Sequence, residues 1–530
     1  MFGILRPPGR PIDLAGFEAA GKALRHRGPD DEGYLLANSD TGEFQAFGGP
    51  DSQQGVILPR LAEASGAAFN MGFCFRRLSI VDLSEAGHQP MERGNGAYWM
   101  VFNGEIYNHR ELSDTLKSAG FQFRSTSDSE VLLAAYQHWG VDCFRRFVGM
   151  WAVAIWDVRE RKLVLARDQF GIKPLYLSFA DQRLVFGSEL KSLLASGLVP
   201  RVVDPSALRS YLTHGRPGLD DRALVRGIRQ VPPGHVAIVD LHNDAISESN
   251  LDVRAYWSVD EIEPREITYA AAVEEVRETF LQSIRLHLRA DVPVAVNVSG
   301  GVDSSSVLMA ARKTLGRDVP IHAFSFIADE AFLSEEKWID IVGKAAGAQV
   351  HKVRPDTGEL IGDMSKLLAA QDEPIGSISP YAQYRVFQLA HENGIKVTLD
   401  GQGADEYLAG YDRYHVMALA SAIQSGDVWR GLRGSPWRSQ GGPEPRFAAH
   451  CHSAKVLTTS ESALKRRRCP SAGARTTSGS TRPYGRHVRL QKPPGSAREL
   501  AMVDHAGLPE LLRSPTATPW RSRSRAGFPS

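Results

Sequence analysis

Two glycine-rich segments carry the residue types that handle phosphate. The first, VAVNVSGGVDSSSV (294–307), runs an apolar strand into Ser299, Gly300, Gly301, Val302, Asp303, Ser304 and Ser305. Glycines let backbone amides approach an anion closely, and a helix starting after such a turn adds free N–H groups and partial positive charge. Serine hydroxyls supply further donors. A bare phosphate would repel Asp303, so its carboxylate points to a Mg²⁺ that bridges phosphates. The Gly-Lys-Ser/Thr ending of the Walker pattern is absent. The second segment, LDGQGADEYLAGY (399–411), follows the apolar run IKVTLD and places Asp400 and Asp405 to join Asp303 around metal and phosphates. An Asp-Gly turn alone says little. Two such loops after two strands point to one site at the C-terminal edge of a parallel sheet.

The elements that must position these loops are legible around them. YAAAVEEVRETFLQSIRLHL (269–288) has the spacing of an amphipathic helix. After it, apolar strands alternate with helices expected from about Ser304, from about Ser334 and near Tyr381–Glu392, which predicts a doubly wound parallel-sheet domain. Residues 1 to about 205 read differently, as short strands broken by turn dipeptides such as Asn103-Gly104. MWAVAIWDVRERKLVLARD (150–168) reads as a hairpin with Arg159–Lys162 at its tip. EVLLAAYQHWG (130–140) reads as a helix ended by glycine. A Pro- and Gly-containing connector lies between the two regions. The predicted domains are therefore 1–215, 235–430 and an irregular stretch over 435–530.

Composition sets the class. The 530 residues are 42% hydrophobic and 23% charged, as in globular proteins. Four cysteines (Cys74, Cys143, Cys451 and Cys469) have neither metal-ligand spacing nor the density of a disulfide scaffold, so a reducing cytoplasm is expected. No stretch approaches the ~20 apolar residues of a membrane helix. The start, MFGILRPPGRP, has no signal-peptide pattern. Charge is uneven. Of 62 Lys and Arg and 61 Asp and Glu, residues 431–530 hold 18 and 5, leaving 44 and 56 before them. This basic stretch lacks interleaved aromatics and helical period, so nucleic acid is not an expected partner. Its Arg, Ser, Pro and Gly read as disordered or frame-shifted coding sequence.

With these residues in hand, the chain resembles the glutamine-dependent asparagine synthetases over residues 1 to about 430. The first loop alone is similar to the pyrophosphate loop of enzymes that cleave ATP to AMP and pyrophosphate. The wider resemblance rests on RHRGPDDEGY (25–34), RRLSIVDLSEAGHQPM (76–91), FNGEIYNHREL (102–112), STSDSEVLL (125–133), ARDQFGIKPLYL (166–177) and both glycine-rich loops. It implies an N-terminal Ntn-type αββα sandwich that hydrolyses glutamine. A doubly wound ATP-pyrophosphatase domain would follow, forming β-aspartyl-AMP with ATP and Mg²⁺. Ammonia from the first site would displace AMP. A cytoplasmic homodimer is compatible with it.

By the same resemblance, Arg77 holds the glutamine carboxylate, Asp128 takes its α-amine and Glu105 lines the pocket. Asn103 and Gly104 form the oxyanion hole. Asn297, Phe326, Asp400 and Gly401 match nucleotide-contacting positions, alongside Ser299 through Ser305, and Asp303 and Asp405 match Mg²⁺ ligands. Without the resemblance, Arg77 reads as a surface ion pair, Asp128 as a helix cap and Asn103-Gly104 as a hairpin turn.

Three positions depart from the pattern. The family exposes a cysteine nucleophile on removal of Met1, whereas this chain has Phe2, which carries no nucleophile. Glutaminase activity is therefore expected to be missing, leaving an ammonia-dependent or inactive synthetase. Gln402 stands where the family commonly has an acid, and glutamine cannot act as a base. Finally, Leu508–Arg513 matches the family, and the sequence beyond it does so only in a neighbouring frame. These departures leave two other readings. One is a related amide- or ring-forming synthetase of the β-lactam synthetase or lasso cyclase type. The other is a non-catalytic relative.

Overall fold

The computed structural model describes residues 1–64, 69–215, 221–243, 245–329 and 334–424. The expected tail over 435–530 lies outside the described residues. One compact unit includes residues 1–408, and a second begins at Ala409. The described part of the second is the helix Asp412–Gln424, preceded by Tyr411, whose ring lies 5.9 Å from that of Tyr414.

The N-terminal half is a four-layer α-β-β-α sandwich. One antiparallel sheet runs in the order Ile228–Gln230, Tyr176–Ala180, Arg183–Gly187, Phe2–Leu5, Met71–Arg77, Asp31–Ala37, Phe44–Gly48. The other runs Leu251–Ala255, His235–Asp240, Lys162–Arg167, Gly149–Asp157, Tyr98–Ile106, Met91–Arg93. The central strands, such as Met71–Arg77 and Gly149–Asp157, are buried on both faces and carry apolar residues on each, whereas the edge strand Leu251–Ala255 is largely exposed. Leu5, Phe73, Val101 and Trp156 pack between the sheets. Phe2, Ile4 and Phe17 pack under the helix Leu14–Lys22 on one outer face. Leu132, Ala135 and Phe144 cover the other beneath the helix Asp128–Trp139.

The predicted hairpin is present, with Gly149–Asp157 paired antiparallel to Lys162–Arg167. Two expectations differ. Asn103 and Gly104 are not a turn. They lie inside the strand Tyr98–Ile106, paired with Ala152 and Trp151. Glycine is needed there because a Cβ would sit 2.3 Å from the Met150 carbonyl oxygen and 2.6 Å from Trp151 Cα. The sandwich also does not end at 215. The strands Ile228–Gln230, His235–Asp240 and Leu251–Ala255 complete its sheets, so pairing carries it to Ala255.

The second half is a parallel sheet in the order Gln349–Val353, His322–Phe326, Val294–Asn297, Val397–Leu399. Helices cover both faces. Val296 and Ala323 pack with the helices Tyr269–His287, Val302–Leu315 and Glu336–Ala346, whereas Ala295 and Phe324 pack with Ser379–Glu392. From the strand Val294–Asn297 the chain steps outward twice, then returns to its other side. The strand order thus reverses between Val294–Asn297 and Val397–Leu399, the place in such sheets where ligands bind beyond the carboxyl ends of the strands.

Candidate active site

The resemblance-derived residues of the sandwich converge. Arg77, Asn103, Gly104, Glu105 and Asp128 all line one cavity of about 70 Å³. Each comes from a different structural logic. Arg77 ends the strand Met71–Arg77, Asn103 to Glu105 end Tyr98–Ile106, and Asp128 opens the helix capped by Ser127. Arg77 is buried, and its guanidinium donates to the carbonyls of Ser84 (2.7 Å) and Asp82 and to Gln53 Oε1 (3.4 Å). Burial lowers its pKa, against the opposing charges of Asp31, Asp82 and Asp128. Asp128 accepts from the Ile106 amide at 2.9 Å. Burial raises its pKa, and the Ile106 donor and Arg77 partly offset this.

Glu105 is held well above its ordinary value. Burial pushes its carboxyl up to about 8, with Lys173 pulling it down and Asp128 pushing it up. Its Oε1 is buried without a hydrogen-bond partner among the described residues. A cavity lined by a guanidinium and a carboxylate, Arg77 and Asp128, offers both charges that an α-amino acid requires.

Phe2 does not line this cavity. Its side chain is fully buried on the helix side of its strand, with its ring 6.0 Å from that of Phe17. Met1 lines the cavity instead. The Met1 α-amine donates to Ser188 Oγ at 3.2 Å, and Asn103 Nδ2 donates to the same oxygen at 3.5 Å. Burial and the charge of Arg27 bring the amine down to about 5. Cys74 faces the helix layer opposite Phe2, with burial raising its thiol to about 12. Sequence reasoning did not assign roles to Ser188, Gln89 or Lys173. The last two sat inside motifs already quoted. Gln89 clamps the Phe102 backbone, accepting from its amide at 2.6 Å.

The phosphate-loop residues also come together. Ser299, Gly300 and Gly301 connect the strand Val294–Asn297 to the helix Val302–Leu315, with Asp303, Ser304 and Ser305 in its first turns. Gly300 has φ +87°, open to glycine at little cost. Ser304 Oγ accepts from the Ser299 amide (3.1 Å), lies 3.1 Å from Ser299 Oγ, and fixes the loop. Gly401 abuts this turn: a Cβ there would lie 2.7 Å from the Ser304 amide nitrogen. Asn297 Nδ2 bridges the two strand ends, donating to Thr398 Oγ1 (3.1 Å) and Asp400 Oδ2 (2.8 Å). Phe326 closes the neighbouring strand His322–Phe326. Gln402 is half-buried in the turn, and Asp405 lies in the short helix Ala404–Leu408.

Comparison with known proteins agrees with this division. The family model of the glutamine amidotransferase domain matches residues 60–257, and that of asparagine synthase matches residues 275–501. Asparagine synthetase [glutamine-hydrolyzing] 1 of Bacillus subtilis is 33% identical over 350 residues, 65% of this chain and 52% of that protein. Asparagine synthetase [glutamine-hydrolyzing] 3 of the same organism is 30% identical over 372 residues, 67% and 58%. Amidase chyE of Penicillium rubens is 31% identical over 377 residues, 66% and 52%. The chain thus spans about half the length of the curated relatives it matches. Both domain families occur in order along one chain, with the Arg77 cavity in the first and the glycine-rich turn of Ser299 to Ser305 in the second. The protein belongs to the family of glutamine-hydrolysing asparagine synthetases.

Proposed function

We propose that the protein is an ATP-dependent amide-forming ligase of the asparagine synthetase type. The aspartate side-chain carboxylate attacks the α-phosphorus of ATP, pyrophosphate leaves, and ammonia displaces AMP from β-aspartyl-AMP to give asparagine. The observation that carries this reading is the joining of the two loops, by Asn297 to Asp400 and by Gly401 against Ser304, at the strand-order reversal. Asn297, Ser299 to Ser305, Phe326, Asp400 and Gly401 surround the nucleotide in this reading.

Among the described residues, no three metal-binding side chains converge. Mg²⁺ takes one or two carboxylates and completes its shell with phosphates and water. Asp303 and Asp405, each in the first turn of a helix beside the loops, are those carboxylates. The ion would neutralise phosphate charge as pyrophosphate departs. No helix among the described residues is long and apolar enough to cross a membrane.

The sandwich binds glutamine without hydrolysing it, because Phe2 offers no nucleophile and its side chain points away from the cavity. Arg77 meets the glutamine carboxylate, Asp128 its α-amine, and Asn103 and Gly104 its amide, with Glu105 lining the pocket. Nitrogen therefore enters as free ammonia. A second reading, another carboxylate acceptor, is favoured by Gln402 and by the likeness to a fungal amidase. Pyrophosphate release measured with ATP, Mg²⁺, ammonia and a panel of carboxylic acids separates them. Release specific to aspartate supports the first reading. Release with another acid and none with aspartate supports the second, and silence with all removes both.

A further inference from the structure

Six residues, 288–293, join the helix Tyr269–His287 to the strand Val294–Asn297, and two of them, Arg289 and Asp291, bond to the segments that carry opposite sides of the cavity. On one wall, Arg289 forms a two-pronged pair with Glu111 (2.6 and 2.5 Å) and donates to the Tyr107 carbonyl at 2.9 Å. The Tyr107 ring lies 4.0 Å from that of His287. Tyr107 directly follows the strand bearing Asn103, Gly104 and Glu105. On the other wall, the Asp291 amide donates to the Ile80 carbonyl at 2.9 Å, and Asp291 Oδ2 accepts from the Asp82 amide at 2.8 Å. The carbonyl of that same Asp82 accepts from Arg77. Asp82 is itself held in the left-handed region at φ 56°, its carboxylate bonded to Ser84 and Thr126. Its position is therefore set by several partners at once.

Downstream of Asp291 the chain has little slack. Pro293 fixes its own φ and keeps Val292 extended, and the next residue enters the strand that ends at the phosphate loop. A displacement of that loop along the strand thus reaches Asp291, and from there Asp82 and the guanidinium of Arg77.

We propose that Asp291 is a positioning residue that couples nucleotide occupancy at the phosphate loop to the Arg77 wall of the amino-acid cavity. The proposal rests on the functional reading above for the identity of the nucleotide. Amide hydrogen exchange of residues 80–84 tests it, with ATP and Mg²⁺ as the probe and nucleotide affinity measured separately by calorimetry. Nucleotide should slow exchange of these amides at least about fivefold in the unaltered protein, the lower end of typical coupling between sites. Asp291→Asn keeps an oxygen for the Asp82 amide and should retain the response. Asp291→Ala should lose it while binding ATP with unchanged affinity, a pattern that simple loss of stability does not produce. ATP that binds without altering exchange in the unaltered protein overturns the coupling and leaves the proposed function standing. So does an Asp291→Ala protein that keeps the response. ATP that fails to bind overturns the proposed function, and the coupling with it.

Discussion

Phe2 and Phe17 face one another across the first strand and first helix, ring centroids 6.0 Å apart, on the side away from the cavity. The residue at the family's nucleophile position is thus part of the apolar packing. The protein is expected to release no glutamate from glutamine. Phe2→Cys restores a thiol at that position at a packing cost approaching the ~3–5 kcal/mol of a Phe-to-Ala truncation. The variant should melt earlier. Glutamate release by the unaltered protein sinks the expectation.

Glu105 makes stability depend on pH. A carboxyl raised to about 8 in the folded protein stabilises it most below pH 4.5, and that contribution fades as pH rises towards 8. The slope is at most ~1.4 kcal/mol per pH unit. The Met1 α-amine, lowered to about 5, acts in the opposite sense, adding stability as pH rises from about 5 to 8. The clean comparison is therefore with Glu105→Gln. Urea midpoints should show the variant gaining on the unaltered protein from pH 5 to pH 8. Parallel curves would rule out the raised carboxyl.

Gly401→Ala should separate the two loops. Its Cβ would meet backbone at 2.7 and 3.0 Å, which neither loop can yield without moving. Overpacking of this kind costs ~1–3 kcal/mol. Calorimetry should show weakened ATP binding.

Arg77→Lys should weaken glutamine binding. A lysine keeps the charge but loses the planar fork and the bonds to Asp82 and Ser84. Loss of one charge-assisted hydrogen bond, ~1.5–3 kcal/mol, corresponds to roughly 10–100-fold in Kd. An unchanged Kd for glutamine would remove Arg77 from the site.

The strand-turn-helix unit around Ser299–Ser305 was legible because strand, glycines, serines and helix follow one another within a dozen residues, where local chemistry dictates the shape. The helix ending at Gly140 and the Gly149–Arg167 hairpin were legible for the same reason. Asn103-Gly104 misled because a turn-forming pair also serves a strand interior wherever another backbone must pass close, and that demand arises from Met150 and Trp151, some 46 residues along the chain. Ser188 carried no local signal. Its role comes from meeting Met1 and Asn103, brought together only by sheet pairing. The direction of Phe2 likewise depends on register against Cys74 and Gly187, which no motif records.

The bond from Asn297 to Asp400 has a kinetic meaning. Loops already tied to each other at the strand ends need no ordering when nucleotide arrives, since that conformational entropy was surrendered during folding. Association should then follow a single exponential whose rate rises linearly with ATP concentration, with no slow closing phase. Asn297→Ala would bring such a phase into view by leaving the second loop to find its place after encounter.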